Sequence, residues 1–141
     1  MTRIDFYSGV SDKLQTVCRL SHKAVQQGLR VMIYVPPDQG MTEQLDKLLW
    51  TFSATGFLPH CSADHKLAEV TPVIFGHQSD RLPHDEVLLN LQDEYPPFFS
   101  RFQRLIELSG TSAEDMAAAR RRYRFYHDRG YDIRHHKLGD R

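Results

Sequence analysis

Residues 120–126 read Arg-Arg-Arg-Tyr-Arg-Phe-Tyr, the densest concentration of binding chemistry in a chain of 141 residues. Guanidinium groups grip carboxylates and phosphates through paired N–H donors, and neighbouring rings supply apolar walls or stacking faces. The charge around the run sharpens the point. From Arg120 to Arg141 there are 8 basic and 3 acidic residues, net +5, while residues 1–119 hold 10 basic and 15 acidic residues, net −5. A chain of zero formal charge therefore carries one segment suited to an anion: nucleic acid, a membrane surface or an acidic peptide.

Little else in the chain competes as chemistry. His60-Cys61 with Asp64 and His65 is the only metal-like cluster, and its spacing lacks the clear ligand pairs of zinc sites; it reads as surface-loop histidines. Cys18 reads as a small core hydrophobe, and two cysteines without a disulfide framework suit a reduced, cytoplasmic setting. Asp93-Glu94 before Pro96-Pro97 reads as a solvated turn. The first turn, Tyr7-Ser8-Gly9-Val10-Ser11-Asp12-Lys13, has a single glycine, so neither the dinucleotide fingerprint nor a P-loop is present, and no nucleophile elbow occurs. No catalytic set, cofactor or metal is expected. No apolar run reaches membrane-span length, and Met1-Thr2-Arg3-Ile4-Asp5 leads straight into a strand, so neither a membrane span nor a signal peptide is expected.

The elements that must position the basic run follow from periodicity. Arg3-Ile4-Asp5-Phe6-Tyr7 alternates as a strand. A helix capped by Ser11 or Asp12 carries Leu14, Val17, Cys18, Ser21, Ala24 and Val25 at helical spacing until Gly28. Arg30–Val35 is an apolar strand covered on both faces. A second helix begins near Thr42 with Leu45, Leu48, Leu49 and Phe52 inward and Trp50 off that stripe. A turn and short extended piece occupy 56–60. Strands are expected at 72–76 and 86–91, a brief helical piece near 96–100, and a strand at 104–108, whose length does not exclude helix. Thr111 or Ser112 opens the last helix, which ends at Gly130-Tyr131. Alternating strands and helices predict one α/β domain over 1–141: three layers, a largely parallel sheet with helices on both faces, similar to nucleotide-binding folds without their phosphate loop.

At about 100° per residue, Met116, Ala118, Ala119, Tyr123, Phe125 and Tyr126 share a broad arc of the final helix. Arg120, Arg124 and His127 form a stripe beside it, with Tyr123 on the border. Arg121 points elsewhere, and Arg122 and Arg129 lie nearer the apolar side, where their stems can snorkel. The geometry suits an acidic peptide with a terminal carboxylate, and equally a single strand whose bases stack on Tyr123 or Tyr131.

The pieces in order resemble the chi-subunit family of bacterial DNA polymerase III: Phe6-Tyr7; Gly28-x-Arg30-Val31; Leu45-Asp46 with Leu49-Trp50; Phe57-Leu58-Pro59-His60; Pro72-Val73; and Ala119-Arg120-x-Arg122-Tyr123-Arg124-x-Tyr126 with Gly130-Tyr131. The resemblance implies a non-catalytic clamp-loader accessory that binds the acidic, Phe-ending C-terminal tail of single-stranded-DNA-binding protein, and meets DNA only indirectly. It implies that Arg120, Tyr123 and Arg124 form the tail site, the arginines holding carboxylates and Tyr123 walling the pocket for the last side chain. Met116 stands where relatives place a Lys, leaving that contact missing or supplied by Arg121 or Arg122. Trp50 and Phe57 match positions that bind the psi partner or a competing helicase. Direct nucleic-acid binding through residues 120–137 is the alternative, and a nucleotide-dependent enzyme draws only on fold class.

Overall fold

A computed structural model describes residues 1–51, 58–77 and 83–138. Among these, seven strands form one sheet in the order β3-β4-β2-β5-β6-β1-β7, and every pairing is parallel. The strands are β1 (Arg3–Ser8), β2 (Val31–Tyr34), β3 (His60–Ser62), β4 (Val73–Gly76), β5 (Val87–Asn90), β6 (Arg104–Leu108) and β7 (Ile133–Lys137). The helices are α1 (Lys13–Gln26), α2 (Gln39–Thr51) and α3 (Ala113–Asp128). The α/β class with a parallel sheet and helices on both faces is as the sequence predicts.

Two apolar layers result from side chains alternating across the sheet. Val31, Ile33, Val73, Phe75, Val87, Leu89 and Ile106 face Val17, Cys18 and Ala24 of α1 and Leu45 and Leu49 of α2. Ile4, Phe6, Met32, Ile74, Leu88 and Leu105 face Ala119 and Tyr126 of α3, together with Phe98, Phe99 and Phe102. The second layer is thus one helix plus an aromatic segment around a 3-10 turn, Phe99–Arg101. That turn takes the place of the brief helical piece read near 96–100, and 104–108 is strand.

Several boundaries shift for local reasons. Asp12 caps α1 by accepting from Gln15 N at 3.1 Å, and Gly28 follows the helix at φ 82°. Helix α2 starts at Gln39 rather than Thr42, because Asp38 Oδ1 already accepts from Met41 N at 3.3 Å. Leu48 packs only partly, and Phe52 lies outside the described residues. Of the turn and short extended piece read at 56–60, residues 56 and 57 lie outside the described residues, and strand β3 begins at His60 and pairs with β4.

Strand β7 is the element the sequence reading missed. Ile-Arg-His-His-Lys lacks any apolar alternation, because β7 is an edge strand held mainly through its backbone to β1. Two side-chain bonds supplement the ladder. His136 Nε2 lies 2.9 Å from Asp5 Oδ1, and His135 Nε2 lies 3.0 Å from Ser8 Oγ. The C-terminal end of β7 then crosses the turn after β1: Leu138 N donates to Ser8 O at 2.8 Å. Gly9 sits there at φ 70°, and a Cβ on it would run into the Leu138 carbonyl oxygen.

Asp5 is buried in the sheet. Its carboxylate also accepts from Arg104 Nε at 2.8 Å, with Arg3 Nε at 3.6 Å. Burial alone would raise its pKa, but the bonds from His136 and Arg104 and the charges of Arg104 and Arg3 prevail and hold it below the ordinary carboxylate value. A lowered folded pKa contributes stability that is present above the unfolded value, roughly 4, and lost as pH falls through the folded one. The difference in urea stability between wild type and Asp5→Asn is therefore expected to be greatest near neutrality and to shrink on acidification. A difference independent of pH would contradict this account. Gly9→Ala is expected to cost more than about 1 kcal/mol in the same assay, from the left-handed backbone and the Leu138 contact together.

Candidate peptide-binding site on helix α3

Helix α3 begins at Ser112, whose Oγ accepts from Asp115 N at 3.1 Å, with Glu114 and Asp115 in the first turn. Asp115 also reaches back to the Gly110 amide and pairs with Lys13 Nζ at 3.1 Å, tying α3 to α1. Acidic groups at a helix start complement its dipole.

The helix is fixed in roll by a buried charge. Glu107 of β6 is fully buried, and its carboxylate accepts from Arg122 Nε at 2.8 Å and Tyr126 Oη at 2.5 Å. Asn90 Nδ2 lies 3.1 and 3.0 Å from its two oxygens. Arg122 completes its bonding on the carbonyls of Asp93, at 2.7 Å, and Leu108, at 3.0 Å. Burial raises the Glu107 pKa, while Arg122, Tyr126 and Asn90 pull it back. Burial and the adjacent Glu107 charge together push the Tyr126 hydroxyl far up. Arg122, expected to snorkel, is instead 3% exposed and wholly committed to this cluster. The sequence showed its apolar-side position but not its partner, which lies 15 residues earlier on strand β6.

With Arg122 inward, the remaining basic residues separate. Arg120, Tyr123 and Arg124 come together on one exposed flank, Tyr123 being 40% exposed. Arg121 lies on the opposite flank, in a cleft shared with Lys13 and Asp115. Arg129 lies over the Phe125 ring at 3.6 Å, and Tyr95 stacks on the same ring at 3.6 Å. Tyr131 meets Phe99 edge-on at 5.1 Å and is half-buried. It belongs to the aromatic packing, whereas Tyr123 is the open ring.

Two adjoining cavities share Arg120 and Tyr123. The first, about 310 Å3, has Phe6 and Ser8 from β1, Ser109 just past β6, and His135 from β7 on the sheet side. Met116, Ala119, Arg120 and Tyr123 close it from α3. Tyr123 is braced there by an edge contact to Phe6, centroids 5.6 Å apart. The second, about 410 Å3, runs along Arg120, Tyr123, Arg124, His127 and Asp128. The first is walled largely by apolar groups, and the second runs between the charged side chains of Arg120, Arg124 and Asp128, so an apolar side chain and an adjacent anionic stretch can be held together. Met116 contributes apolar wall, and neither Arg121 nor Arg122 lines either of these two cavities. Ser8, Ser109 and His135 joined the site only in three dimensions; a polar edge strand gave no signal for His135.

The other predicted surface is partly visible. Trp50 on α2 is 55% exposed, and its ring meets His60 edge-on with centroids 4.8 Å apart. His60 Nε2 lies 3.1 Å from Asp46 Oδ1. Phe57 lies outside the described residues. His60, Asp64 and His65 are engaged in local bonds, and no group of three or more His, Cys, Asp and Glu side chains suited to a metal gathers among the described residues.

The family described as DNA polymerase III chi subunit, HolC, matches residues 1–134. A DNA polymerase III subunit chi from Pseudomonas aeruginosa is 37% identical, over 98% of each chain. One from Escherichia coli is 26% identical, over 89% of this chain and 85% of its own. One from Haemophilus influenzae is 25% identical, over 89% and 87%. The chain belongs to the DNA polymerase III chi subunit family.

The buried cluster makes a stability prediction. Arg122→Met leaves Glu107 buried without its countercharge and is expected to cost about 3 kcal/mol. Adding Glu107→Gln, which still accepts from Tyr126, is expected to restore part of that loss. Urea unfolding of the two single variants and the double variant measures the coupling; additive losses would refute it.

Proposed function

We propose that this chain is a non-catalytic accessory subunit of the replicative DNA polymerase III holoenzyme. In this reading it binds the acidic, Phe-ending C-terminal tail of single-stranded-DNA-binding protein and so links that protein to the clamp loader. The observation that carries the reading is the pairing of an apolar cavity with a basic one through the shared side chains Arg120 and Tyr123. The terminal phenyl enters between Phe6, Met116 and Tyr123, and the acidic residues before it run along Arg120 and Arg124. Family membership and an exposed Trp50 support a second contact, in which Trp50 and Phe57 meet a psi subunit or a helicase. The protein works in the cytoplasm and reaches DNA through its partners.

Direct binding of a nucleic acid is the competing reading, favoured by the exposure of Arg120, Arg121 and Arg124. Its weakness is the neighbouring Asp128, Glu114 and Asp115, which repel a polyanion. A gel shift with bare oligonucleotide and no partner protein separates the two. Binding with a steep salt slope would favour the competitor.

Titration of an acidic peptide ending in Phe is expected to give micromolar affinity that weakens with salt. Tyr123→Ala and Arg120→Ala are each expected to weaken it about tenfold or more, as loss of an anchoring side chain or a charge-assisted bond does. Equal affinity in all three proteins would sink the site.

A further inference from the structure

The polar pair that supplements the β1–β7 ladder also opens onto the sheet side of the apolar cavity. In register, His135 of β7 sits beside Phe6 of β1, and Ser8 lies two residues beyond Phe6 on the same face of the strand. Both line the cavity opposite Arg120 and Tyr123, and His135 Nε2 is 3.0 Å from Ser8 Oγ. Ser109, the other hydroxyl in the lining, lies 3.2 Å from the Gly110 carbonyl and donates its hydrogen there. Ser8 differs. When His135 Nε2–H donates to Ser8 Oγ, the serine's own hydrogen is left to point at an acceptor in the cavity. An anionic acceptor selects that arrangement, because the opposite tautomer would consume the serine hydrogen on the imidazole.

We propose that Ser8 binds the free α-carboxylate of a peptide's last residue while its apolar side chain fills the cavity, and that His135 positions the Ser8 hydroxyl for this. The proposal rests on the tail-binding reading and deepens it: the site distinguishes a chain end from an internal acidic–aromatic segment. Arg120 and Arg124 bind carboxylates wherever they occur in the peptide. The Ser8–His135 pair, set on the opposite wall, adds a contact that only a terminus supplies.

Two peptides of one acidic, Phe-ending sequence, one a free acid and the other its C-terminal amide, test this by calorimetry. Wild type is expected to prefer the acid about tenfold, the worth of one charge-assisted hydrogen bond. Ser8→Ala and His135→Phe are expected to lose most of that preference while still binding both peptides. His135→Gln, whose amide N–H can still donate to Ser8 Oγ, is expected to keep part of it. Thermal melts check that each variant is folded. Retention of the full preference in Ser8→Ala and His135→Phe would overturn the proposal and leave the arginines as the reader of the terminus. Weakening of both peptides alike would overturn it too. A wild type that binds acid and amide equally refutes the inference but leaves tail binding standing, whereas a wild type that binds neither refutes tail binding itself.

Discussion

The arrangement of this protein depends on one buried carboxylate. Glu107 sits inside the sheet on the face that α3 covers, and a charge there is tolerable only if donors meet it on every side. Asn90 supplies one from the neighbouring strand, and α3 supplies the others through Arg122 and Tyr126. Those two lie four residues apart, one turn of helix, so both reach the same point only at one height and one rotation of α3. At about 100° per residue, that rotation puts Met116, Arg120, Tyr123, Arg124 and His127 on one flank. It turns Arg121 to the other. A run of arginines that looks uniform in the sequence is thereby divided: one is structural, two line the clefts and one faces away.

The alternating order of strands and helices was legible because buried parallel strands are apolar runs and their helices carry apolar stripes. Val31–Tyr34, Val87–Asn90 and the α1 face around Val17 and Cys18 announce themselves in this way. The exposed flank of α3 was legible for the same reason, since helical spacing alone groups Arg120, Tyr123 and Arg124. What stayed hidden depends on partners distant in the chain. Arg122 looked like a snorkelling side chain because Glu107, in a short apolar strand, gives no sign that it needs a countercharge. Ile133–Lys137 looked like a tail because an edge strand is specified by backbone bonding, which leaves no hydrophobic period. His135 was hidden with it.

Two buried acids occupy adjacent strands and opposite faces of the sheet. Glu107 orients the helix above, and Asp5 gathers Arg3, Arg104 and His136 below. Polar groups in such places add little net stability, yet each permits few alternative arrangements that satisfy it. Here the satisfied arrangement is the one that brings β7 alongside β1 and α3 above both, and that is what encloses the apolar cavity.

Strand β1 has its two neighbours in β6 and β7, where Ile4 pairs with Leu105 and Ile133, and none in the element that follows it. A chain emerging from the ribosome in sequence order therefore carries β1 as an unpaired apolar segment through most of its own synthesis. The cavity, made of β1, β6, α3 and β7 together, exists only after this last stretch has emerged. The nascent Ile4–Phe6 segment is exposed meanwhile to wrong pairing, with Asp5 as its only charge.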